Sequence, residues 1–228
     1  MGKIIAIDGT DSSGKRTQVE ILYNRLLSEG NKVKKIEFPS YGNKGCSLVE
    51  MYLEGDFGKN AEDVNPYVAS MFYAMDRFAS MKTAEWLSFY QDGGIIITDR
   101  YTTSNMIHQA SKINTKKERK KYLEWLYDLE YVKCGLPIPD ITFFLNMPSK
   151  ASFKLMDKRG RKKDIHENDK EHLRKAYQNA LWIAQHYQWN IVNCANSEKI
   201  KSINDIHKEI YRQLQEKLQG GIKNDNQI

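Results

Sequence analysis

The sequence predicts an α/β fold in which helices cover both faces of a parallel sheet of about five strands. The first observation is a set of short runs rich in β-branched and aromatic residues. The second is that a long helical pattern separates each run from the next. Strands that alternate with helices in this way form parallel sheets, because each helix carries the chain back to the edge where the previous strand began.

The elements follow from this pattern in chain order. Strands are predicted at residues 4–7, 33–38, 95–98, 141–145 and, from a weaker pattern, 189–192. Helices are predicted at residues 18–28, 64–91, 117–133, 170–187 and 203–218. No repeat or change of composition divides the chain, so we expect one domain over residues 1–221. Residues 222–228 are expected to form a frayed tail.

The composition argues against several classes of protein. No run of about 18 apolar residues is present, so no segment is predicted to span a membrane. The N-terminus enters a predicted strand directly and has no basic region or cleavage site, so no secretory signal is expected. Three widely spaced cysteines form neither a disulfide framework nor a metal-binding pair, which indicates a reducing cytoplasm. The net charge of +6 suits binding of small phosphorylated ligands and does not require nucleic acid as a partner.

The most informative motif follows the first predicted strand, where residues 9–17 read GTDSSGKRT and lead into a helix. Glycines at positions 9 and 14 allow backbone N–H groups to turn toward a phosphate, and Lys15 can reach the β- and γ-phosphates. The motif therefore predicts a P-loop that binds ATP. Its residues are Gly9, Thr10, Asp11, Ser12, Ser13, Gly14, Lys15, Arg16 and Thr17.

The P-loop departs from the usual pattern at the residue after Lys15. A serine or threonine hydroxyl normally binds Mg²⁺ at this position, but here the residue is Arg16. Thr17 lies about 100° further around the helix, so its hydroxyl cannot simply replace the missing one. We therefore expect a carboxylate to hold Mg²⁺, either Asp11 or Asp99, directly or through water.

A second charged pair stands at the end of the predicted strand 95–98, where the sequence continues with Asp99 and Arg100. Ligands of α/β sheets bind at the carboxyl ends of the strands, so both side chains are expected beside the P-loop. Asp99 is then placed near Mg²⁺, and the Arg100 guanidinium can bind a phosphate with two hydrogen bonds. A buried Asp–Arg ion pair without function is the alternative.

Tyr73 and Arg77 are four residues apart in a predicted helix and therefore share one face of it. One side chain can stack on a base while the other holds a phosphate. Taken alone, the pair would better suit a Tyr–Arg stack on the helix surface.

Together these segments resemble the thymidylate kinase family over roughly residues 3–215. The matching segments are residues 9–17, Phe38-Pro39, Tyr73 with Asp76-Arg77, Asp99-Arg100-Tyr101 with Ser104-Asn105, residues 137–140 and residues 159–167. The resemblance implies a P-loop kinase fold with a small lid. It also implies Mg²⁺-dependent transfer of the γ-phosphoryl group of ATP to dTMP, which yields dTDP on the way to dTTP. The family is commonly homodimeric, and the predicted helix 64–91 is long enough to form such an interface.

The resemblance further implies which residues handle the phosphates. Lys15 and the loop amides hold ATP, and Asp11 lies between the donor and the acceptor, near the transferred group. Arg77 and Arg100 bind the 5′-phosphate of the acceptor. Lys15, Asp11 and Arg100 are thus expected to be catalytic.

The same resemblance implies a binding site for the acceptor nucleoside. Its residues are Phe38, Pro39, Tyr73, Ser104, Asn105, His108 and His166. Tyr73 takes the place of the aromatic residue that stacks on thymine, and Asn105 falls where the family contacts the base edge. His108 stands where the family has an aromatic residue near the deoxyribose, and His166 where an aromatic residue is common in the lid.

Residues 157–168 are predicted to form the lid, because a basic run there precedes a long helix. The P-loop has no arginine at its variable positions, so the lid is expected to supply the cation that stabilises the transition state. Arg161 is the first choice for this catalytic role and Arg159 the second.

Two alternative functions remain open at this point. The chain could phosphorylate a neighbouring substrate such as dUMP, dCMP or a deoxynucleoside. It could also be a nucleotide-binding relative without catalytic activity, because Arg16 and Asn146 both depart from the family pattern.

Overall fold

A parallel sheet forms the centre of the fold. In the computed structural model, which describes residues 1–159, 164–196 and 199–220, its strands are β1 (Lys3–Gly9), β2 (Val33–Glu37), β3 (Ile95–Asp99), β4 (Ile141–Asn146) and β5 (Asn190–Asn193). They lie in the order β2-β3-β1-β4-β5, and every neighbouring pair is parallel. The five predicted strands are therefore confirmed. A short antiparallel pair that was not predicted follows them, β6 (Ala195–Asn196) with β7 (Lys199–Ile200).

Helices connect the strands along the described chain. They are α1 (Lys15–Ser28), α2 (Ser47–Glu54), α3 (Pro66–Thr83), α4 (Trp86–Gln91), α5 (Thr102–His108), α6 (Lys116–Tyr127), α7 (Ser149–Arg159), α8 (Ile165–Asn168), α9 (Lys170–His186) and α10 (Ile203–Gly220). Single-turn 3₁₀ segments occur at Lys44–Cys46, Ala61–Asp63 and Ala110–Lys112, and α6 continues into a π-helix at Asp128–Lys133. None of the described helices is long and apolar enough to cross a bilayer.

The prediction of one helix over residues 64–91 is wrong, because the structure has two helices there. The backbone at Ala84 is extended, with φ −100° and ψ 145°, and this ends α3. The break lets Trp86 enter the core, where its side chain is 1% exposed and packs with Ile4 and Met81. The indole Nε1 donates a hydrogen bond of 3.2 Å to Ser80 Oγ, so burial of the ring leaves its polar atom paired.

Alternate residues of β1 pack against helices on opposite faces of the sheet. Ile5 and Ile7 belong to a cluster with residues of α1 and α10, whereas Ile4 packs with the α3–α4 region. All three isoleucines are fully buried. Strands with both faces covered are typical of parallel sheets, and the predicted two-sided arrangement is confirmed.

We expect Leu22→Ala in α1 to lower the free energy of unfolding by about 2–5 kcal/mol, because it removes a fully buried side chain from this core. Leu27→Ala in the same helix is the matched control, since Leu27 is 49% exposed and its loss should change stability by no more than about 0.5 kcal/mol. Urea unfolding of both variants measures the difference. Equal losses would show that α1 is not packed as described.

Candidate active site

The P-loop occupies the connection from β1 to α1. Gly14 caps α1 in the left-handed conformation, with φ 89° and ψ 16°, which a residue with a Cβ rarely adopts. Lys15 folds back over the loop, and its Nζ donates to the carbonyl oxygens of Gly9, at 2.9 Å, and Thr10, at 2.8 Å. Burial and the nearby Arg100 guanidinium lower the pKa of Lys15 to about 8.

Three hydroxyl groups of the P-loop are buried without a hydrogen-bond partner among the described residues. They are Thr10 Oγ1, Ser12 Oγ and Ser13 Oγ. A buried polar atom without a partner is costly, so such groups usually serve a bound ligand or water. Three of them around one loop are what a phosphate-binding site requires.

Arg100 and Asp11 form an ion pair that joins the end of β3 to the P-loop. Arg100 Nη1 also lies 3.2 Å from His108 Nε2 and 3.5 Å from Ser104 Oγ, both on α5. Although burial by itself raises the pKa of Asp11, Arg100, with His108 and Lys15, holds it well below its usual range. Asp11 is therefore a carboxylate at neutral pH, and it lines the same cavity as Lys15.

Asp8, which the sequence did not single out, anchors α5 to β1. Its carboxylate is fully buried and accepts hydrogen bonds from Gly9 N at 2.8 Å, Thr103 Oγ1 at 2.7 Å and Ser104 Oγ at 2.8 Å. The hydroxyl of Ser104 is thus already donated within the protein, although the resemblance placed it beside the base edge. An acidic residue next to a P-loop glycine was the available signal for Asp8.

Asp99 and Arg16 differ in their suitability for a metal ion. The Asp99 side chain lies in the wall of the same cavity, and no described residue binds it through a hydrogen bond or ion pair. Burial raises the pKa of Asp99, so a cation beside it would be favourable. Arg16 and Thr17 also reach the cavity wall, but both are exposed. Carboxylate oxygens are the hard ligands that Mg²⁺ prefers, and Asp99 supplies one.

One cavity of about 610 Å³ joins the P-loop to the predicted acceptor pocket. The predicted residues that line it outside the P-loop are Phe38, Pro39, Tyr73, Arg77, Asp99, Arg100, Ser104, Asn105, His108 and His166. Sequence reasoning missed other lining residues, namely Glu37, Tyr41, Leu53, Gln109, Leu155, Asp164 and Glu167. Asp164 and Glu167 fall within the predicted lid, although neither was singled out, and the other five come from separate segments that no single motif joined.

Glu130 organises the far end of this cavity, and the sequence gave no sign of it. Its carboxylate is fully buried and accepts two hydrogen bonds from Arg77, of 2.6 Å from Nε and 2.7 Å from Nη2. It accepts a third, of 2.9 Å, from Asn105 Nδ2. Arg77 and Asn105 are therefore neighbours at one end of the pocket, although they are 28 positions apart in the chain.

Asp76 fixes the loop that carries Phe38 and Pro39. Its carboxylate accepts a hydrogen bond of 3.0 Å from Ser40 N and another from Ser40 Oγ. The peptide bond between Phe38 and Pro39 is cis. The two hydrogen bonds to Asp76 hold this turn, which follows β2, against α3, the helix that also carries Tyr73.

The predicted lid lies only partly within the described chain. Asp164 caps α8, since its Oδ1 accepts hydrogen bonds of 2.9 Å from the backbone N–H groups of His166 and Glu167. Burial, with a smaller effect of Asp11, raises the pKa of Asp164 to about 6. Arg161 and the side chain of Arg159 lie outside the described residues.

A P-loop at the end of β1, with arginines and carboxylates facing a second, aromatic pocket, defines the class as P-loop nucleotide kinases. A model of the thymidylate kinase family matches residues 7–210. The chain belongs to the thymidylate kinase family.

Individual relatives agree with this assignment. The chain is 30% identical over 174 residues to a thymidylate kinase of Mycobacterium tuberculosis, across 74% of this chain and 79% of the relative. It is 28% identical to a probable thymidylate kinase of Pyrococcus horikoshii, across 96% and 98% of the two chains. A solved thymidylate kinase from Candida albicans superposes with a TM-score of 0.71 at 22% identity, covering 94% of this chain and 91% of that chain, which shows the shared fold.

We expect Glu130→Ala to lower the free energy of unfolding by about 3–5 kcal/mol, because it leaves the buried Arg77 guanidinium without a counter-charge. Asp128→Ala in the same π-helix is the control. Asp128 pairs with Lys133 at an exposed site, so its loss should cost no more than about 1 kcal/mol. Chemical denaturation of both variants measures the two losses, and a mild effect of Glu130→Ala would contradict the buried pair.

Proposed function

We propose that the protein catalyses ATP + dTMP → ADP + dTDP. The observation that carries this proposal is the single cavity that joins a P-loop to a pocket lined by Tyr73, Arg77 and Asn105. Membership of the thymidylate kinase family supports the choice of substrates. Nothing in the described site favours a neighbouring nucleotide or a loss of activity.

The donor side works by positioning and charge. Lys15 Nζ now binds two carbonyl oxygens of its own loop, and the phosphates of ATP offer it anionic partners in their place. The same phosphates supply acceptors for the loop hydroxyls and backbone N–H groups. Phosphoryl transfer requires little covalent assistance from a protein, so this arrangement is sufficient for the donor.

Arg100 and Arg77 receive different roles. The resemblance implied that both bind the 5′-phosphate of the acceptor. Arg100 lies beside Asp11 and the P-loop, which supports that role for it. Arg77 shares the Glu130 carboxylate with Asn105, which supports a place at the base end of the pocket instead.

Asn105 accounts for recognition of thymine. Its Nδ2 donates to two acceptors, Glu130 Oε1 at 2.9 Å and Ser70 O at 3.3 Å, so the orientation of the amide is set. The Oδ1 atom is left to accept a hydrogen bond from N3–H of thymine. Cytosine carries no hydrogen at N3, so the same oxygen disfavours dCMP. Tyr73, half-buried in the cavity wall, supplies the face on which the base stacks.

Mg²⁺ would be held by Asp99, with Asp11 nearby and water completing the ligands. When bound, the ion neutralises charge on the phosphates of ATP. Asp99 fits this role because its half-buried carboxylate has no hydrogen-bond or ion-pair partner among the described residues, whereas Asp11 is already paired with Arg100.

Arg161, with Arg159 as second choice, is proposed to stabilise the charge that develops on the transferred group. The support is the sequence of the lid, together with the position of Asp164 and His166, two further lid residues that line the cavity. Such a cation acts more strongly on the transition state than on the ground state.

We expect dTMP to give a higher kcat/KM than dCMP or UMP when ADP formation is measured with a panel of monophosphates. Loss of one hydrogen bond at a buried acceptor should cost about 1–3 kcal/mol, or roughly fivefold to 150-fold for dCMP. Lys15→Met is the inactive control, because it removes the phosphate-binding amine. A preference for dCMP or UMP would refute the assignment of dTMP as the substrate but would leave the assignment of kinase activity intact. Full activity of Lys15→Met would refute the assignment of kinase activity to this P-loop.

We also propose a homodimer, formed through α2 and α3. Val68, Met71 and Met75 are 38–40% exposed and lie on one face of α3, while Leu48 and Met51 of α2 are 45% and 39% exposed. Large apolar side chains grouped in this way mark a protein interface. The family resemblance points in the same direction.

We expect the double variant Met71→Glu, Met75→Glu to be monomeric in sedimentation analysis, because two like charges would face each other across the two-fold axis. Leu27→Glu, at a 49% exposed position of α1, should leave the dimer unchanged. A monomeric wild type, or a double variant that remains dimeric, would contradict this interface.

A cytoplasmic location is the last part of the proposal. Cys46, Cys134 and Cys194 are all free and buried, which suits a reducing compartment.

A further inference from the structure

Three of the five histidines in the chain meet at one point of the fold. His108 is the last residue of α5, His166 belongs to α8, and His172 lies in the first turn of α9. One ring nitrogen from each lies within 4.8 Å of one from each of the others. Their side chains are 6%, 6% and 1% exposed, respectively.

We propose that His108, His166 and His172 bind a divalent transition-metal cation of the Zn²⁺ type, which ties α8 and α9 to α5 at the wall of the nucleotide cavity. Neutral imidazole is a preferred ligand of such ions, and three imidazoles with a fourth position open to water or ligand form a known type of zinc site. This site is separate from the Mg²⁺ that we assign to Asp99, and it does not depend on the proposed reaction.

Several ring nitrogens of the cluster form no hydrogen bond with the described residues. They are His108 Nδ1 and both nitrogens of His172, and all three are buried. Each neutral ring carries one N–H and one lone pair, and burying them unpaired is unfavourable. A metal ion would give a partner to the lone pair of each ring.

The rings are in the protonation state that metal binding needs. Burial lowers the pKa values of His108 and His166 well below the usual value, and it lowers that of His172 to about 4. All three imidazoles are therefore neutral at pH 7. No proton has to be removed from a charged ring before the metal binds.

His166 has a second set of contacts that orients its ring. Tyr52 Oη lies 2.8 Å from His166 Nε2 and accepts a hydrogen bond of 2.8 Å from Lys112 Nζ. Tyr52 Oη can also donate to Ala61 O at 3.3 Å, so it is able to accept from Nε2–H when Nδ1 binds a metal. Histidine ligands commonly donate their other N–H in this way, which fixes the tautomer.

Two cations lie near the cluster, and each has contacts of its own. Lys112 donates to Tyr52 Oη and to Val64 O, and Arg100 is paired with Asp11. Arg100 Nη1 donates to His108 Nε2 at 3.2 Å, so the proton of that ring is on Nδ1. Binding through Nδ1 therefore requires this hydrogen bond to break. The three nitrogens must also approach by roughly 1 Å, since Zn–N bonds of about 2.0–2.1 Å place ligand atoms closer together.

The test is Zn²⁺ titration of the full chain without an affinity tag, free of nucleotide and Mg²⁺. We expect one Zn²⁺ per chain by calorimetry and a melting temperature that rises with Zn²⁺ and returns on addition of a chelator. Because His172 has no assigned catalytic or binding role, His172→Asn is the decisive variant. It should weaken Zn²⁺ binding by at least about 10–100-fold. Losses of this size are typical when a residue that only hydrogen-bonds a metal ligand is replaced, and a ligand itself should matter at least as much.

His186→Asn is the matched control, because His186 is exposed on the same helix, and it should bind Zn²⁺ like the wild type. Co²⁺ provides a readout that does not depend on a variant, since coordination by three imidazoles gives strong visible absorption that six oxygen ligands do not. No binding, equal binding by both variants, or a weak octahedral Co²⁺ spectrum would overturn the proposal. The cluster would then be three neutral rings packed in the core.

Discussion

The parallel pairing of β1 with β3 is the constraint on which the site depends. Their register places Ile7 opposite Asp99, so both strands end at the same edge of the sheet. The P-loop follows one strand and Arg100 the other, and the Arg100–Asp11 ion pair closes the gap between them. Because parallel strands place all their carboxyl ends together, Asp11 and Arg100, which are 89 residues apart in the chain, belong to one phosphate site.

Buried charge maintains the shape of the cavity. Arg77 with Glu130 lies at one end and Arg100 with Asp11 at the other, and each pair is desolvated. Burying such pairs is costly, so they seldom add much net stability. Their benefit is that donors and acceptors are fixed before a ligand arrives, which is how an enzyme stabilises developing charge without reorganising its surroundings.

The sequence predicted the elements whose signals are local. Apolar strand runs and the helical patterns located the sheet and most helices, and the P-loop residues carried their own motif. Prediction from the sequence failed where contacts between residues far apart in the chain determine the structure. The helix over 64–91 breaks because Trp86 is drawn into a core formed with Ile4. Glu130, in a π-helix, gained its role from Arg77 and Asn105, and no pattern near position 130 could have shown this.

By itself the sequence determined the fold class and the P-loop, because hydrophobic period and turn chemistry act between near neighbours. Its resemblance to the thymidylate kinase family implied part of the lining of the cavity. Only the tertiary structure decided which of these residues act together. It placed Arg77 beside Asn105, left the Asp99 side chain without a hydrogen-bond or ion-pair partner among the described residues, and gathered His108, His166 and His172 from three helices. The reason is physical: hydrogen bonds and desolvation depend on distances through space, and those distances exist only once the sheet and its helices have packed.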